Sequence, residues 1–600
     1  MAAAPQFYLP GDAVPTKHII DMTIDPDRPT FSGTARIEVR LLKPQATIWV
    51  NATDITVKEA SVEIGGRRLS AKPVTEANEF LGLELDHPAG PGRATLVIGY
   101  EAKLNEKPSV GAFRSIFENH WYVYTCFTAI EARRAFPCFD EPRYKTPWQF
   151  TIHVKRSDRA FTNARLLRET EEPDGMKALV FAPTEILPAE VTAFAVGPFE
   201  TAEGPAAGAR KVPVRVITPK GHAAEGKYAA GITASIVARL ETYTGVPYSF
   251  QKLDHVSVPN LPFGAVENAG LITYRSILVP PGPEPQRSPR GTMTHELAHH
   301  WFGDLVTQEN WQDVWLSEGF ATWLTSEVGD DETSAARKHI AAVAARERMM
   351  MTDAGPRTRP VRLDFKDRTG MRDVYSGFVY QKGAAVLLML EGWMGQRQLQ
   401  KGLRTYLARH RFANATTDDL ARDIRTATGT DTSAVLHTFL DQTGIPSVKA
   451  DLRCDPAAGA RIAFEQVNTT AKWTVPVCWK ADGGKSGCDV MSAARREVAL
   501  PKAAGCPAWI YWNAGGTGYY RSDWTPAQLS ALSENGLDKL TEAERLTLVY
   551  DLRAMKLGKL MEAPAMDPLL TKLASDPQPE VAQAAKQALA GEAPQERPRR

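Results

Sequence analysis

Strict alternation of apolar and polar side chains marks the first third of the chain. Residues 34–41 alternate in this way, and short apolar runs at 46–50 and 95–98 continue the pattern. A period of two is typical of a half-buried β-strand. We therefore predict strands over residues 14–210, with a domain boundary at the small, loosely patterned segment 203–208.

Longer periods replace this alternation after about residue 220. The segments 230–242 and 384–393 show the spacing of apolar residues that is typical of one helix face. The pattern predicts a mainly helical region over 220–445. Short runs rich in Val, Trp and Tyr return between 447 and 522, which indicates a second and smaller group of strands.

The last part of the chain carries helix start signals. Thr541-Glu542-Ala543-Glu544 is a capping box, in which a Thr and a Glu three residues later satisfy each other's backbone amides. Asp567-Pro568 joins an N-cap residue to a Pro, which is favoured at the first helical position. We predict one helix after Thr541 and another that begins at Pro568.

Composition and charge narrow the possible classes of protein. A chain of 600 residues exceeds one hydrophobic core, so several domains are expected. Its 43% hydrophobic and 24% charged residues are ordinary for a soluble globular protein. The formal net charge of +1 gives no electrostatic footprint for nucleic acid. We find no apolar stretch of about 18 residues, and so predict no membrane span.

Four of the cysteines lie close together in the second strand-rich region. Cys454, Cys478, Cys488 and Cys506 form a local even set, which favours two disulfides. We predict Cys478–Cys488 across a turn at 482–484, leaving Cys454–Cys506. Four reduced thiols are the alternative, and a second zinc site is disfavoured because no C-x-x-C pair is present.

The same cysteines allow a prediction of the cellular compartment. Residues 1–6 show no basic region followed by an apolar run, so no signal peptide is visible. The chain is then either cytoplasmic or a mature exported protein with a starting Met. Disulfides favour export, and we predict a periplasmic or secreted protein, with a cytoplasmic one as the alternative.

The segment 294–303 carries the strongest chemical signal. His295 and His299 are four residues apart, so on a helix both imidazoles face the same way and can bind one metal ion. Glu296 lies one residue round the helix, where it can reach a water on the metal without being a ligand. Gly303 is a plausible C-cap. The alternative is a pair of surface histidines on a helix that bind no metal, and a third ligand is needed to dismiss it.

Glu318 supplies that third ligand. It follows His299 with eighteen residues between them and lies at the start of a second helical run. Two imidazoles and one carboxylate leave the fourth tetrahedral position open, as in catalytic zinc sites. A metzincin would need Gly at 302 and His at 305, where this chain has Phe302 and Leu305. We predict one zinc ion, with Glu296 as general base and a nearby donor for the oxyanion.

These residues sit within longer blocks that resemble the gluzincin aminopeptidases, typified by aminopeptidase N and leukotriene A4 hydrolase. The resemblance covers roughly residues 15–550. The matching blocks are Trp301-Phe302-Gly303-Asp304-Leu305-Val306-Thr307, Leu316-Ser317-Glu318-Gly319-Phe320-Ala321, Gly264-Ala265-Val266-Glu267-Asn268, Val379-Tyr380-Gln381-Lys382-Gly383-Ala384 and the segment 132–142. The third block is similar to G-A-M-E-N, with Val266 in the place of Met.

The resemblance implies roles for further residues. Glu267 would hold the free α-ammonium of a peptide, which makes the enzyme an exopeptidase because an internal peptide lacks that charge. Tyr380 would donate to the oxyanion. The residues that the resemblance places along the substrate are Gly264, Ala265, Val266, Asn268, Phe263 and Tyr375, the last two near the first side-chain pocket.

Two departures from the family pattern change what is expected. Many members carry a second carboxylate before the segment 132–142, where this chain has Thr128; Glu131 lies three residues late and is not assigned that role. Loss of that carboxylate implies weaker ammonium binding or another type of substrate. Only about 75 residues follow Arg521, which resemble the beginning of the family's helical C-terminal domain, so the cleft is either more open or completed by a partner chain.

Together these observations predict an α+β multidomain zinc aminopeptidase acting on peptides with a free N-terminus. The expected divisions are an N-terminal β domain (1–210), a thermolysin-like α/β catalytic domain (211–445), a small β-sandwich (446–522) and a short α-helical C-terminal segment (523–600). The alternatives are an endopeptidase or epoxide hydrolase on the same scaffold, or a non-catalytic peptide-binding relative. The sequence leaves the oligomeric state open.

Overall fold

The computed structural model describes residues 4–76, 79–107, 109–275, 289–329, 333–371, 373–455, 459–467, 472–500 and 506–591. These residues form two compact units. The first comprises the described residues within 1–330, 364–375 and 406–416, and the second those within 331–363, 376–405 and 417–600.

Strands fill the N-terminal part of the first unit, which confirms the strand prediction. The first fifteen are β1 (Ala13–Thr23), β2 (Thr30–Leu41), β3 (Gln45–Asn51), β4 (Thr56–Ile64), β5 (Arg67–Ser70), β6 (Lys72–Glu76), β7 (Phe80–Ala89), β8 (Gly92–Lys103), β9 (Gly111–Phe117), β10 (His120–Cys126), β11 (Trp148–Lys155), β12 (Arg159–Thr162), β13 (Leu166–Glu171), β14 (Met176–Phe181) and β15 (Phe194–Gly197). They form sheets in the orders β13-β14-β11-β1-β2-β8-β4-β5, β3-β7-β6 and β12-β15-β10-β9. On β2, Ile37 and Val39 are buried whereas Glu38 and Arg40 are exposed, as the alternation requires.

The middle of the chain adds a five-stranded sheet and most of the helices. The strands of this sheet are β16 (Phe199–Ala207), β17 (Val212–Pro219), β18 (Leu253–Val258), β19 (Ala265–Val266) and β20 (Leu271–Arg275). The short strands β21 (Thr307–Gln308) and β22 (Asn414–Ala415) pair with each other. The helices of this part of the chain are α1 (Lys227–Thr244), α2 (Arg290–His299), α3 (Trp315–Val328), α4 (Ala335–Asp353), α5 (Arg368–Met371), α6 (Gly383–Met394), α7 (Gln396–Arg409), α8 (Thr417–Thr428) and α9 (Ser433–Asp441). The sheet order β16-β17-β18-β20-β19 leaves the short strand β19 at one edge.

The segment 203–208, predicted as a boundary, lies mostly inside β16. The register between β16 and β17 shifts between Gly204 and Ala207, which marks an irregularity within the pairing. A Cβ at Gly204 would collide with the carbonyl oxygen of Ala230 on α1. The small residues therefore allow the close approach of α1 to this strand.

The second unit contains the remaining strands and both disulfides. The strands are β23 (Ser447–Asp455), β24 (Gly459–Val467), β25 (Val475–Ala481), β26 (Lys485–Met491), β27 (Arg495–Ala499), β28 (Ile510–Tyr511) and β29 (Arg521–Asp523). They form the sheets β27-β24-β23-β29 and β26-β25-β28. Cys478 pairs with Cys488 directly across β25 and β26, and Cys454 pairs with Cys506 at a Cα–Cα separation of 5.7 Å. The predicted connectivity is confirmed.

This unit also contains α4, α6, α8 and α9, and the last four helices of the chain follow its strands. They are α10 (Pro526–Asn535), α11 (Glu542–Leu557), α12 (Ala563–Leu573) and α13 (Pro579–Ala590). The capping box before α11 is confirmed, since the Thr541 and Glu544 side chains each bond to the other's backbone amide. The predicted helix start at Pro568 is wrong, because α12 begins at Ala563 and Pro568 lies inside it. Pro564 occupies the first turn instead, and Pro568 is the sixth residue of the helix, where its missing N–H removes one i→i−4 hydrogen bond.

In the part of the chain that the structure describes, no helix combines the length and the apolarity required to cross a bilayer.

Candidate metal centre and substrate cleft

The two histidines of the H-E-x-x-H segment lie on one face of α2. His295 and His299 are separated by one helical turn, and their Nε2 atoms are 3.2 Å apart. The His299 side chain is 1% exposed, whereas 21% of the His295 side chain remains accessible. The helix thus presents one buried and one partly open imidazole to the same point.

Glu318 reaches this point from the first turn of α3. Its Oε2 atom lies 3.4 Å from His295 Nε2 and 3.3 Å from His299 Nε2, and its side chain is 5% exposed. Within the described residues, these three side chains are the group of His, Cys, Asp and Glu whose ligand atoms converge closely enough to hold a metal ion.

The three atoms form a nearly equilateral triangle with the dimensions of a zinc site. Zinc binds imidazole nitrogen and carboxylate oxygen at about 2.0–2.1 Å, and tetrahedral ligands at that distance are about 3.3 Å from one another. The observed separations of 3.2, 3.4 and 3.3 Å match this value. The residues present therefore fit zinc, with a fourth position left for water or substrate.

The outer nitrogen of the His299 imidazole is already engaged. His299 Nδ1 lies 2.8 Å from Ser317 Oγ, and the Ser317 hydroxyl donates to the Phe302 carbonyl at 3.1 Å. Because the hydroxyl proton is directed to that carbonyl, Ser317 Oγ accepts from Nδ1–H and leaves Nε2 with its lone pair toward the triangle. Burial lowers the pKa of His295, and the Glu318 carboxylate and the backbone of Ala321 oppose this shift.

Gly303 makes room for the Ser317 hydroxyl and does not act as the predicted C-cap. The α2 helix ends at His299, with His300 as its C-cap. Gly303 has a φ of +133°, and a Cβ at that position would lie 2.5 Å from Ser317 Oγ. Any larger residue would displace the group that orients His299.

Three carboxylates surround the imidazoles in a poorly hydrated space. Burial raises the pKa of Glu296 well above its usual value; His299 opposes this rise, and Glu267 and Glu318 add to it. Burial also raises the pKa of Glu267. For Glu318, burial is outweighed by the two imidazoles, which lower its pKa to about 2. A divalent cation in the triangle would offset this concentration of negative charge.

The predicted substrate residues border the edge strand β19. Ala265 and Val266 pair with Tyr274 and Thr273 of β20, and the other edge of the strand can accept an extended peptide. Gly264 is exposed and Phe263 is 38% exposed. Asn268 is fully buried, where its amide donates to Thr273 Oγ1 at 3.5 Å, so it supports the loop from beneath.

Thr128 lies in the same region as Glu267. Its Oγ1 atom is 3.9 Å from the Sγ atom of Cys126 at the end of β10. Burial raises the pKa of the Cys126 thiol to about 12, and the Glu267 carboxylate contributes to the rise. Thr128 therefore brings a neutral hydroxyl to the neighbourhood of the predicted ammonium site.

Glu131 is engaged elsewhere, in keeping with its exclusion from that role. Its carboxylate lies 2.6 Å from Arg134 Nε and 3.0 Å from an Nη atom of Arg368 on α5. Arg368 also pairs with Glu79. This contact could not be predicted from the sequence, because Glu131 and Arg368 are 237 residues apart.

The two predicted tyrosines lie in different units. Tyr375 is half-buried in the last stretch of the first unit, and Tyr380 is half-buried in the second, on the π-helical turn Phe378–Lys382 that leads into α6. The structure thus brings together in the first unit His295, His299, Glu318, Glu296 and Glu267, whereas Tyr380 belongs to the second unit.

Most of the chain is similar in sequence to known peptidases of one family. Residues 14–190 match the peptidase M1 N-terminal domain, and residues 228–439 match the peptidase family M1 domain. Aminopeptidase M1-C of Oryza sativa subsp. japonica is 28% identical over 581 residues, which cover 92% of this chain and 65% of the relative. Aminopeptidase M1 of Arabidopsis thaliana is 28% identical over 579 residues, covering 90% and 64%.

A puromycin-sensitive aminopeptidase of Caenorhabditis elegans is 28% identical over 591 residues, which cover 91% of this chain and 60% of that protein. The chain therefore spans somewhat less than two thirds of the length of these relatives.

Proposed function

The chain belongs to peptidase family M1, and on that basis we propose that it is a zinc-dependent aminopeptidase that removes N-terminal residues from peptides. The observation that carries the proposal is the triangle of His295, His299 and Glu318, whose dimensions suit zinc, with the Glu267 carboxylate beside it. The ligand triangle suits hydrolysis, and the Glu267 carboxylate suits selection of a charged N-terminus.

His295, His299 and Glu318 would hold the ion. Bound zinc acidifies water and polarises a carbonyl group. Glu296, buried next to His299 on α2, would take the proton from the attacking water and deliver it to the leaving amine. A buried carboxylate with a raised pKa suits both halves of this transfer, because it holds the proton between the two steps.

Glu267 would bind the α-ammonium of the peptide. A carboxylate at a fixed place beside the metal centre accepts one charged N-terminus and leaves an internal peptide bond without a counter-charge. Partial burial of Glu267 strengthens this contact because less water competes for either charge. The edge strand β19 would pair with the first peptide unit of the substrate.

Tyr380 would stabilise the oxyanion through its phenolic hydroxyl. This role rests on the resemblance of Val379-Tyr380-Gln381-Lys382-Gly383-Ala384 to the family block. A preorganised donor aimed at developing negative charge is worth about 2.7–4 kcal/mol in comparable sites.

Thr128 would make the ammonium site weaker than in relatives that have a second carboxylate. Glu267 would act with one neutral hydroxyl nearby, and Glu131 is already paired with two arginines. The expected consequence is a broad aminopeptidase with a high KM, or one shifted toward another substrate type.

Hydrolysis of a panel of aminoacyl-arylamides and their N-acetylated counterparts, with and without chelator, tests the proposal. Chelator-sensitive cleavage of the free-amine set alone is the expected result. Equal cleavage of the acetylated set would instead support an endopeptidase, and no cleavage by zinc-loaded protein would support a non-catalytic relative. An epoxide substrate in the same panel covers the remaining alternative.

The disulfides support a further proposal about compartment. Cys454–Cys506 and Cys478–Cys488 would persist only in an oxidising environment, so we propose a periplasmic or secreted protein.

A further inference from the structure

A separate cavity with a strongly basic wall lies within the first unit. It has a volume of about 120 Å³, roughly ten times the space that one water molecule needs. Its walls come from β12, the β13–β14 hairpin, β17 and the residue before β18. The lining side chains used here are Arg159, Phe161, Glu169, Lys177, Arg215 and Lys252.

Cations outnumber carboxylates around this cavity. Lys177 pairs with Glu169 at 3.0 Å. Arg215 and Lys252 share one buried carboxylate, that of Asp254, which lies 2.7 Å from each. Four cationic side chains thus face two carboxylates. Glu203, exposed on β16 opposite Arg215, adds a third negative charge that solvent screens.

Arg159 is the cation that the protein leaves least satisfied. Its guanidinium donates to the Phe199 carbonyl at 3.4 Å and makes no ion pair with a carboxylate of the described residues. Its Cζ atom lies 4.9 Å from the centre of the Phe161 ring, and the Cζ atom of Arg215 lies 5.5 Å from the same ring. Burial lowers the pKa of Arg159 and repulsion from Arg215 lowers it further, while the carboxylates of Glu203, Asp254 and Glu169 only partly oppose the shift.

Two guanidinium groups around one aromatic ring form a recognisable anion site. Arginine presents a planar set of N–H donors that matches the paired oxygens of a carboxylate or a phosphate. Most donors of Arg159 are available for such a group, and the ligand's charge would relieve its repulsion with Arg215. Leu179 and Phe181, which also line the cavity, provide an apolar surface for the rest of a ligand.

We infer that this cavity binds a small organic oxyanion, a carboxylate or phosphate carried on an apolar group, with Arg159 as its main contact. The site is distinct from the metal centre. The cavity is nevertheless linked by hydrogen bonds to the loop that holds Glu267, because Lys252, which lines the cavity, donates from Nζ to the Gly270 carbonyl at 2.8 Å. Asn163, next to the lining residue Thr162, also donates to the Ala269 carbonyl at 2.9 Å.

Titration calorimetry of the full chain with phenyl phosphate at constant ionic strength tests this inference. Inorganic phosphate and benzoate serve as further probes, so that the phosphate, the carboxylate and the apolar group are compared. We expect one saturable site for phenyl phosphate and weaker binding of inorganic phosphate. The variant R159M should weaken phenyl phosphate binding by at least about tenfold, because a charge-assisted bidentate contact is lost.

Two more variants control for charge and folding. R168M removes an equal charge from an exposed position on β13 that does not line the cavity, and should leave binding unchanged. R159K retains the charge without the planar fork and should bind at an intermediate level. Absence of saturable binding by the wild-type chain, or equal binding by R159M and R168M, would overturn the inference.

Discussion

His299 is oriented by groups that are distant in the chain and adjacent in space. The convergence of His295 and His299 could be predicted from the sequence, because helix periodicity alone places the two histidines together. Glu318 could be predicted as the third ligand because it is an acidic residue at the start of the next helical run. The roles of Ser317 and Gly303 could not, because they depend on how α3 packs beside the end of α2. A small residue directly before Glu318 is the signal that the sequence offered.

Removal of the Ser317 hydroxyl should weaken the metal centre. In S317A the Nδ1–H of His299 loses its acceptor at 2.8 Å and keeps only the Phe302 carbonyl at 3.3 Å, so the ring is less well fixed and less basic. We expect about a tenfold loss in zinc affinity, measured by competition with a chelator of known affinity. S530A, which changes an exposed serine on α10, should bind zinc as the wild type does; equal affinities of S317A and S530A would contradict the role given to Ser317.

At the scale of elements, a buried histidine connects strand β1 to residues 139–148 through a ring stack and two hydrogen bonds. His18 is fully buried, and its ring stacks on Trp148 with a centroid separation of 3.9 Å. The Phe139 amide donates to His18 Nε2, so the ring carries its proton on Nδ1 and donates it to Thr146 Oγ1 at 2.8 Å. Burial lowers the pKa of His18 to about 3. The folded strand therefore requires a neutral ring.

This pKa makes folding stability depend on pH. An unfolded His binds a proton below pH of about 6.5, whereas the folded His18 stays neutral down to its lowered pKa, so stability falls as pH falls between these values. Between pH 7.5 and 5.5 we expect the wild type to lose about 1.4 kcal/mol more of its unfolding free energy than H18N. Urea unfolding at both values measures the difference.

H120N is the matched control, since His120 is exposed on β10 and its ring is hydrated in both states. It should lose as much stability as the wild type over the same interval. An H18N protein with the wild-type pH dependence would show that another group is responsible.

The type of element was easier to predict than its limits. Alternation along β2 and the capping box before α11 are local signals, and both predictions are confirmed. The start of α12 was misplaced because two prolines, Pro564 and Pro568, fit a first helical turn equally well from sequence alone. The segment 203–208 looked like a linker because the need for small residues beside α1 is a tertiary constraint.

At the scale of the whole molecule, covalent links are confined to the second unit. Both disulfides lie there, and the remaining cysteines, Cys126 and Cys138, are buried in the first unit. The four-part domain division stays a prediction, whereas the strand-rich, mixed and helical order of the chain is as expected. The basic cavity at Arg159 could not be predicted, because its walls come from β12, the β13–β14 hairpin, β17 and Lys252, which only the fold brings together.

The oxidation state of the cysteines tests the proposed compartment. Protein isolated from its own host, denatured and alkylated without reductant, should gain two alkyl groups, on Cys126 and Cys138. After reduction it should gain six, the number of cysteines in the chain. Intact-mass measurement distinguishes the two. Six groups without reductant would favour a reducing compartment and contradict the proposal of export.

The measurement closest to the central claim is the preference of the enzyme for a free N-terminus in a Glu267 variant. It compares kcat/KM for an alanyl-arylamide and its N-acetylated counterpart in the wild type, E267Q and E131Q. Glu131 serves as the control because its carboxylate is already held by Arg134 and Arg368.

We predict that the wild type and E131Q share a strong preference for the free amine. E267Q should lose roughly 30- to 100-fold of it, because a buried charge contact to the ammonium disappears. An E267Q enzyme that still prefers the free amine as the wild type does would contradict the assignment of Glu267, and with it the account of this chain as an aminopeptidase anchored on that residue.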